Sequence, residues 1–557
     1  MMNTDKRGLI INKQPSEQSP CKLACPAGID IPRYVRFIAD GKFSEALAVI
    51  KEKIPFPSVC GHACFAPCEK ACNAGFLTDP VSIRALKRFV SEQVPVDNET
   101  PPGKSTGKSI AVIGAGPAGL TAAYYLAKRG HTITIFESLP QAGGMMFTGI
   151  PPFVLPKDVL QSEIDNILSA GVNLKLNSPV GSLDDCIEGY DATLITTGFP
   201  QGRKLPIPGS DLEGVLVGVE FLKDINSGKA IRLGKRVLVL GGGGVACDVA
   251  RSAMRLGAEE VNMAFVESKK TMPALPLEMK EAISEGVVLH PLHTFTRILG
   301  DGGHITGVEC LNLRWSKYDS EGGLHMEVIH GSEHVLEADN VIFATGQASD
   351  MSLVSDLSEI DITSRGTIVV DPDNLETGAK GVFAAGDIIS GPASIIEAIA
   401  SGRQAAASID MYLGGEGTID EVLATHEESI LPVGFQPIGE RMTPPSLPIA
   451  ERLNNLNEVE GIFSEETAIR EARRCLRCDL PIIVDLCKCA GCRTCQLRCS
   501  LRWEEAFVPA KSMVSIQRLV GKDHEFDISF SDKCDDCGIC AKYCPYGALT
   551  RGKREET

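Results

Sequence analysis

The chain has 557 residues, 43% hydrophobic and 23% charged, with a formal net charge of −17. That length exceeds one hydrophobic core and predicts several domains, while the acidic balance argues against a broad nucleic-acid surface. No run of 18 or more apolar residues occurs, and MMNTDKRGLIINKQPSEQSP lacks the apolar segment and cleavage site of a secretory leader. No membrane span and a cytoplasmic location are therefore expected.

In chain order, SPCKLACPAG comes first, with Cys21 and Cys25 four apart and Pro26 directly behind the second, as in half of an iron–sulfur motif. Helical periodicity follows over 29–92, in IPRYVRFIADGKFSEALAVIKEK and VSIRALKRFVSEQ. Between these lies CGHACFAPCEKAC, which spaces Cys60, Cys64, Cys68 and Cys72 evenly by four. A polar linker, VPVDNETPPGKSTGKS, closes this region.

From Ile110 apolar strands alternate with Gly-rich turns and Ala-rich helices, the pattern of a doubly wound α/β unit. In SIAVIGAGPAGLTAAYYLAKRGHTITIFES, strand 109–113 meets Gly114, Gly116, Pro117, Ala118 and Gly119, then a helix, then strand 132–136 ending at Glu137. The glycines allow a tight turn and close backbone approach to a pyrophosphate at the helix N-terminus, and Glu137 can accept from a ribose hydroxyl. A second unit starts near Arg236 with GGGGVACDVA. There Gly241, Gly243, Gly244, Val245 and Ala246 make the turn, and strand 260–265 leads to Glu267. Two such units predict two dinucleotides, a flavin and a nicotinamide.

Beyond about residue 412 the chain turns irregular and Pro-rich, then forms a short helix, SEETAIREARRCLRCD, carrying Cys475 and Cys478. The last stretch holds two C-x2-C-x2-C-x3-C runs, Cys489, Cys492, Cys495, Cys499 and Cys534, Cys537, Cys540, Cys544, the latter followed by Pro545. Disulfide frameworks belong mainly to short secreted chains, so twenty cysteines grouped this way point to metal or cluster ligation. Zinc ribbons also use paired cysteines, but three-cysteine runs with a terminal Cys-Pro match two-cluster ferredoxins, in which each fourth cysteine serves the other cluster. The expected quartets are therefore Cys489, Cys492, Cys495, Cys544 and Cys499, Cys534, Cys537, Cys540, with Cys487 a competitor of Cys489. The tail resembles the electron-transfer subunits that accompany molybdenum or tungsten enzymes.

The motifs GAGPAG, Gly143-Gly144, GGGGVACDVA and AAGD (384–387) together resemble the flavoprotein reductases that include the glutamate synthase small subunit. The flavin/iron–sulfur half of dihydropyrimidine dehydrogenase and related NAD(P)H:ferredoxin reductases share the arrangement. The resemblance covers about residues 20–480. It implies a multidomain α/β chain with an N-terminal α-helical Fe–S domain and two Rossmann-like domains, the nicotinamide domain inserted in the FAD domain. A C-terminal ferredoxin-like α+β domain follows. The expected division is 1–107 (helical cluster domain), 108–205 with 340–415 (FAD) and 206–339 (NAD). Residues 416–480 form an extension returning to the N-terminal cluster, and 481–557 the ferredoxin-like domain.

By the same resemblance Gly386 and Asp387 serve the FAD ribityl–pyrophosphate region, and the helix from Ser394 caps the flavin. Cys25, Cys64, Cys68 and Cys72 form one cluster, and Cys21 joins Cys475 and Cys478 with Cys60 as fourth ligand. Dihydropyrimidine dehydrogenase uses a glutamine at one cluster, where this chain has Lys87 or Arg88, neither a plausible ligand. The family's two arginines for a 2′-phosphate are replaced by Val266 and Glu267, so NADH is expected over NADPH, unless Glu267 faces solvent and Lys269 or Lys270 takes the phosphate.

The implied activity is an FAD/iron–sulfur oxidoreductase subunit moving electrons between NAD(H) and four [4Fe–4S] clusters, with no catalytic side chain needed for hydride transfer. Its partner would be ferredoxin, an aldehyde or formate oxidoreductase, an aromatic-ring reductase or a hydrogenase, in a hetero-oligomeric complex. Two alternatives are a glutamate synthase small subunit feeding an amidotransferase and a non-enzymatic polyferredoxin-like scaffold. The flavin region has no CxxxxC pair, which excludes flavin-to-disulfide chemistry there.

Overall fold

The computed structural model describes residues 10–12, 19–95, 103–319, 323–355, 357–424, 438–521 and 525–552. The centre of the linker (96–102), most of the first twenty residues, part of the Pro-rich stretch (425–437) and the charged end (553–557) lie outside them. The chain divides into two compact units, one of residues 1–96, 420–444 and 462–557, the other of 97–419 and 445–461.

The larger unit contains two parallel five-stranded sheets. The first runs Val382–Ala384, Ala192–Ile195, Ser109–Ile113, Thr132–Phe136, Asn173–Lys175, and the second Val288–Pro291, Glu260–Phe265, Arg236–Leu240, Asn340–Phe343, Val215–Val217. Every strand of the second sheet comes from the chain between Ile195 and Val382. The central strands are continuous apolar runs because both faces are covered, as parallel sheets require. Helix Pro117–Lys128 starts with proline at its first position, where no N–H is needed, and is rich in alanine. It packs against Ile395–Tyr412 so closely that a Cβ on Gly402 would lie 2.3 Å from the Ala118 carbonyl. An antiparallel sheet the sequence did not announce, His293–Asp301, His304–Tyr318, Leu324–Val328 and His334–Glu337, makes up the connection between parallel strands Val288–Pro291 and Asn340–Phe343.

The other unit is mostly short helices. Ile31–Ala39, Phe43–Lys51, Pro57–Ala63 and Ile83–Gln93 bury Tyr34, Phe37, Phe56 and Phe89 almost completely. Distant chain segments meet here through backbone donors that would otherwise be orphaned. Glu471, fully buried on helix Glu465–Ala472, accepts from the N–H groups of Ser82 and Met442, each at 2.8 Å. Arg474 pairs with Glu471 at 2.7 Å and donates to the Pro80 carbonyl at 3.1 Å. Ile10–Asn12, Ile482–Val484 and Leu549–Arg551 form a three-stranded antiparallel sheet, and Val514–Arg518 pairs with Phe526–Phe530. The segment carrying Cys475 and Cys478 is thereby fastened to the N-terminal helices. Among the described residues no helix is long and apolar enough to cross a membrane.

Candidate flavin, nicotinamide and cluster sites

At the first Gly-rich turn the backbone is crowded at Gly114 and Gly119. A Cβ on Gly119 would lie 2.1 Å from the Gly114 carbonyl and 2.6 Å from Thr196 Oγ1, and one on Gly144 only 2.8 Å from Gly116 Cα. Gly116 caps helix Pro117–Lys128, whose first turn offers Ala118 and Gly119 N–H groups to an anion. Gly143 donates to the Ala115 carbonyl at 2.8 Å, folding the Gly143-Gly144 loop over the turn. The Glu137 carboxylate, 6% exposed, accepts from Ala115 N–H (2.8 Å) and Leu139 N–H (2.9 Å), so it is held at the turn rather than free in solvent. Gly386 (φ +79°) opens helix Asp387–Ser390, and a Cβ there would be 2.9 Å from Ala118 Cβ. Burial pushes Asp387 up to about 6, with the Ala393 N–H resisting and Glu397 reinforcing the rise. A cradle shaped by absent side chains, with two helix N-termini and a fixed carboxylate, fits the pyrophosphate and ribose of FAD.

The second turn repeats this backbone with different charges. Gly241 (φ +145°) would clash with the Ala344 carbonyl at 2.3 Å if it bore a Cβ, whereas Gly243 faces open space. Gly244, Val245 and Ala246 form the first turn of helix Gly244–Arg255. Glu267 is buried: it accepts from Tyr318 Oη at 3.1 Å, and its Oε2 would lie 3.1 Å from a Cβ on Gly242. Lys269 and Lys270 are exposed. Two further carboxylates were not singled out from sequence. Glu278 Oε2 would sit 3.2 Å from a Cβ on Gly244 and accepts from Leu275 N–H at 2.9 Å. Asp248 is driven up to about 8 by burial and by Glu278, against Arg251 and Arg255.

The thiols gather into four neighbourhoods. In the tail, one small cavity is lined by Cys489, Cys492, Cys495 and Cys544, and a second by Cys499, Cys534, Cys537 and Cys540. At the front the thiol charges fall into two groups. Cys21 feels the charges of Cys475, Cys478 and Cys72, whereas Lys87 feels those of Cys64, Cys60, Cys68 and Cys25. By these charges Cys60 lies in the neighbourhood of Cys25, Cys64 and Cys68, and Cys72 in that of Cys21, Cys475 and Cys478. The cause is local: the even spacing suggests one continuous stripe, but Ala66 adopts φ +49° and breaks the helix between Cys64 and Cys68. Cys60 stays on helix Pro57–Ala63, one turn before Cys64 and fully buried. Cys72 lies past the end of Pro67–Lys70, and the next residue, Asn73, donates through Nδ2 to Cys478 Sγ at 3.3 Å.

Every one of these cysteines is unbridged. Among the described residues no group of His, Cys, Asp or Glu closes around a single metal-ion position. The donor set nonetheless suits iron–sulfur cubanes. N–H groups point at sulfur from Ala66 to Cys64 (3.4 Å), Arg477 to Cys475 (3.5 Å) and Met513 to Cys499 (3.2 Å), the hydrogen bonds that tune cluster sulfurs. Burial pushes Cys475, Cys495 and Cys537 each up to about 12, so anionic thiolates there need a compensating cation such as iron. Cys487 is exposed, and its N–H is taken by Asp485. Cys186, Cys247 and Cys310 are isolated and buried.

Two nucleotide cradles on parallel sheets in one unit and grouped cysteines in the other define an FAD- and NAD(P)H-binding iron–sulfur oxidoreductase. Comparison with known proteins agrees. The family described as pyridine nucleotide-disulphide oxidoreductase matches residues 108–402, dihydropyrimidine dehydrogenase domain II with its 4Fe-4S cluster matches 14–98, and a 4Fe-4S binding domain matches 530–550. The chain is 39% identical over 505 residues to the NADP(+)-dependent formate dehydrogenase subunit beta of Moorella thermoacetica, covering 84% of this chain and 71% of that one. It is 36% identical over 509 residues to the NADPH-Fe(3+) oxidoreductase subunit beta of Geobacter sulfurreducens (83% and 75%). To the glutamate synthase [NADPH] small chain of Azospirillum brasilense it is 32% identical over 417 residues (70% and 86%). The chain belongs to the pyridine nucleotide-disulphide oxidoreductase family, as a flavin and iron–sulfur member of the dihydropyrimidine dehydrogenase and glutamate synthase small-subunit type.

Proposed function

We propose that this chain is the NADH-linked electron-transfer subunit of a multi-subunit oxidoreductase, carrying one FAD and four [4Fe–4S] clusters. The observation that carries the reading is the continuity of the thiol array. Buried Tyr34 feels Cys68, Cys21 and Cys25 together, so the Cys25/60/64/68 and Cys21/72/475/478 quartets are neighbours. Cys478 Sγ contacts the Cys537 carbonyl at 3.5 Å, and Cys540 feels Cys495, which extends the series through both tail quartets. FAD would supply the conversion between a hydride and single electrons, and the clusters the single-electron carriers.

The protein's own part is to hold these groups, exclude water and set their order. The end of the series is the quartet of Cys489, Cys492, Cys495 and Cys544, where Cys492 is exposed; we assign it as the port to the partner. The domain division given above, with a helical cluster domain, an FAD domain interrupted by a nicotinamide domain and a ferredoxin-like tail, accommodates this order. Two relatives are named as subunits beta, of a formate dehydrogenase and of an Fe(3+) oxidoreductase, which supports a hetero-oligomeric assembly with a large oxidoreductase subunit. A glutamate synthase role is the second reading, supported by the Azospirillum relative, but that match leaves 30% of this chain without a counterpart.

The relatives' names carry NADP(H), yet buried Glu267 at the ribose end of the second turn favours NADH here, because a fixed carboxylate accepts from a 2′-OH and repels a 2′-phosphate. Purification with native partners, followed by metal and flavin counts, tests the assignment: about sixteen irons and one FAD per chain are expected. About eight irons would refute either the front or the tail pair of clusters. A strong preference for NADPH over NADH in dye reduction would overturn the nicotinamide assignment.

A further inference from the structure

Lys87 is 5% exposed, an unusual place for an ammonium group, which is almost never fully buried unless its charge is answered. Its position follows from a close helix contact. Helices Pro57–Ala63 and Ile83–Gln93 meet backbone to backbone at Gly61, where a Cβ would lie 2.7 Å from Arg88 Cα. Arg84 fastens the contact by donating to the carbonyls of Gly61 (2.8 Å) and His62 (3.1 Å). This register brings Lys87, next to Arg88, beside Cys60, next to Gly61. Arg88 is answered by Glu92 at 2.6 Å. Lys87 is answered by sulfur: the charges facing it are those of Cys64, Cys60, Cys68 and Cys25. Cys68 registers the same contact, since Lys87 is the chief influence opposing its burial.

We propose that Lys87 is a potential-setting residue for the cluster held by Cys25, Cys60, Cys64 and Cys68, its fixed positive charge making that cluster easier to reduce. The proposal rests on reading this quartet as a cluster site. Reduction adds one electron to the iron–sulfur core and no proton, so the reduced cluster carries one more negative charge than the oxidised one. A cation buried among the ligands stabilises the more negative state more, and in a low-dielectric interior solvent screens little of that difference. The lysine therefore favours electron residence at this quartet over its neighbours.

The test is an EPR-monitored redox titration of the full holo-chain, with iron counted on every sample. Cys60→Ser identifies the signal that belongs to this quartet; if it leaves iron content and every signal unchanged, the cluster reading itself fails, independently of Lys87. With that signal assigned, Lys87→Met should lower its reduction equilibrium by about tenfold or more, which is about 59 mV for one electron. Lys87→Arg should restore most of the shift, and the other clusters should move less. An unchanged midpoint in Lys87→Met, or an equal fall in Met and Arg variants, would overturn the role of the charge. Should Lys87→Met lose the cluster, Lys87→Leu serves as the second neutral variant. Loss of iron in both, with retention in Lys87→Arg, would make the lysine a structural counter-ion and overturn the tuning role.

Discussion

The cluster-bearing unit and the nicotinamide turn treat charge in opposite ways. Around the thiols the chain buries cations: Lys87 among the front quartet, Arg477 beside Cys475, and Arg551 where Cys478 and Cys540 both feel its charge. Around the second Gly-rich turn it gathers carboxylates instead, with Glu267 beside Gly242, Glu278 beside Gly244 and Asp248 behind them. Iron–sulfur clusters with four thiolates are anionic and exchange electrons, so fixed cations stabilise and tune them. A dinucleotide is also anionic, but its phosphates are met by helix N–H groups, leaving carboxylates to select the ribose and to impose a pH limit. The cations named here face thiols, whereas the carboxylates at the turn face its glycines, with Arg251 and Arg255 further along helix Gly244–Arg255.

The largest expected effect tests the thiol side. If Cys72 shares a quartet with Cys475, then Cys72→Ser, Cys475→Ser and the double variant should each lose one cluster, about four irons. If Cys72 instead belongs with Cys25, the double variant should lose about eight. Iron analysis of the three proteins, with EPR to show which signal disappears, decides between the pairings. Next in size is the cation at the tail. Arg551, 2% exposed, donates to the carbonyls of Leu480 and Asp536 and pairs with the Asp536 carboxylate at 3.6 Å. Arg551→Met removes this cation from beside Asp536, which is 9% exposed. Breaking such a buried pair costs about 3–5 kcal/mol, and the thermal midpoint of this unit should fall by roughly 10 °C. An unchanged melting profile would show that the arginine is not needed as a counter-charge.

On the nucleotide side, Glu267→Arg should reverse the ribose preference. Loss of a carboxylate acceptor and gain of a phosphate donor should shift the NADH/NADPH ratio of kcat/KM by about ten- to a hundredfold toward NADPH. The ratio of kcat/KM for the two nucleotides, rather than either rate alone, is the measurement, because it cancels damage common to both.

How far the sequence carried the reading depends on where its spacing was unambiguous. Strands 109–113, 132–136 and 260–265 were legible because apolar runs, glycines and a terminal acid occur in order, and they are observed at those residues. In the tail, C-x2-C-x2-C-x3-C spacing and a terminal Cys-Pro allowed a pairing that matches the two thiol-lined cavities. The break at the front is not legible in sequence, because equal spacing by four says nothing of the left-handed residue Ala66 that divides the stripe. Asn73, which draws Cys72 toward Cys478, looks in sequence like an ordinary polar neighbour of a cysteine. Glu278 lies more than thirty residues beyond the turn it approaches, so only tertiary packing reveals it. Lys87 was visible as a poor ligand, but its burial, and hence its charge effect, was not.

The smallest expected effect belongs to Asp248, and it reads the carboxylate side most directly. Burial, then Glu278, raise this carboxyl to about 8 while Arg251 and Arg255 oppose them; Glu278 is itself raised, chiefly by burial, against the Leu275 N–H and Arg251. A carboxyl raised in the folded chain is neutral at pH 7, so its contribution to stability is complete below the unfolded value near 4 and is lost as pH rises through about 8. The same ionisation places a negative charge on the helix whose N-terminus would hold the nucleotide pyrophosphate. A charge at a helix end changes anion affinity by about 0.3–1 kcal/mol, so NADH should bind about two- to fivefold more weakly at pH 9 than at pH 7. Asp248→Asn should flatten that profile while leaving affinity at pH 7 nearly unchanged, since the neutral amide replaces an already neutral acid. Fluorescence titration of NADH across this range distinguishes the outcomes: an identical slope in the variant would mean that Asp248 does not titrate between pH 7 and pH 9 and does not set the pH limit of this turn.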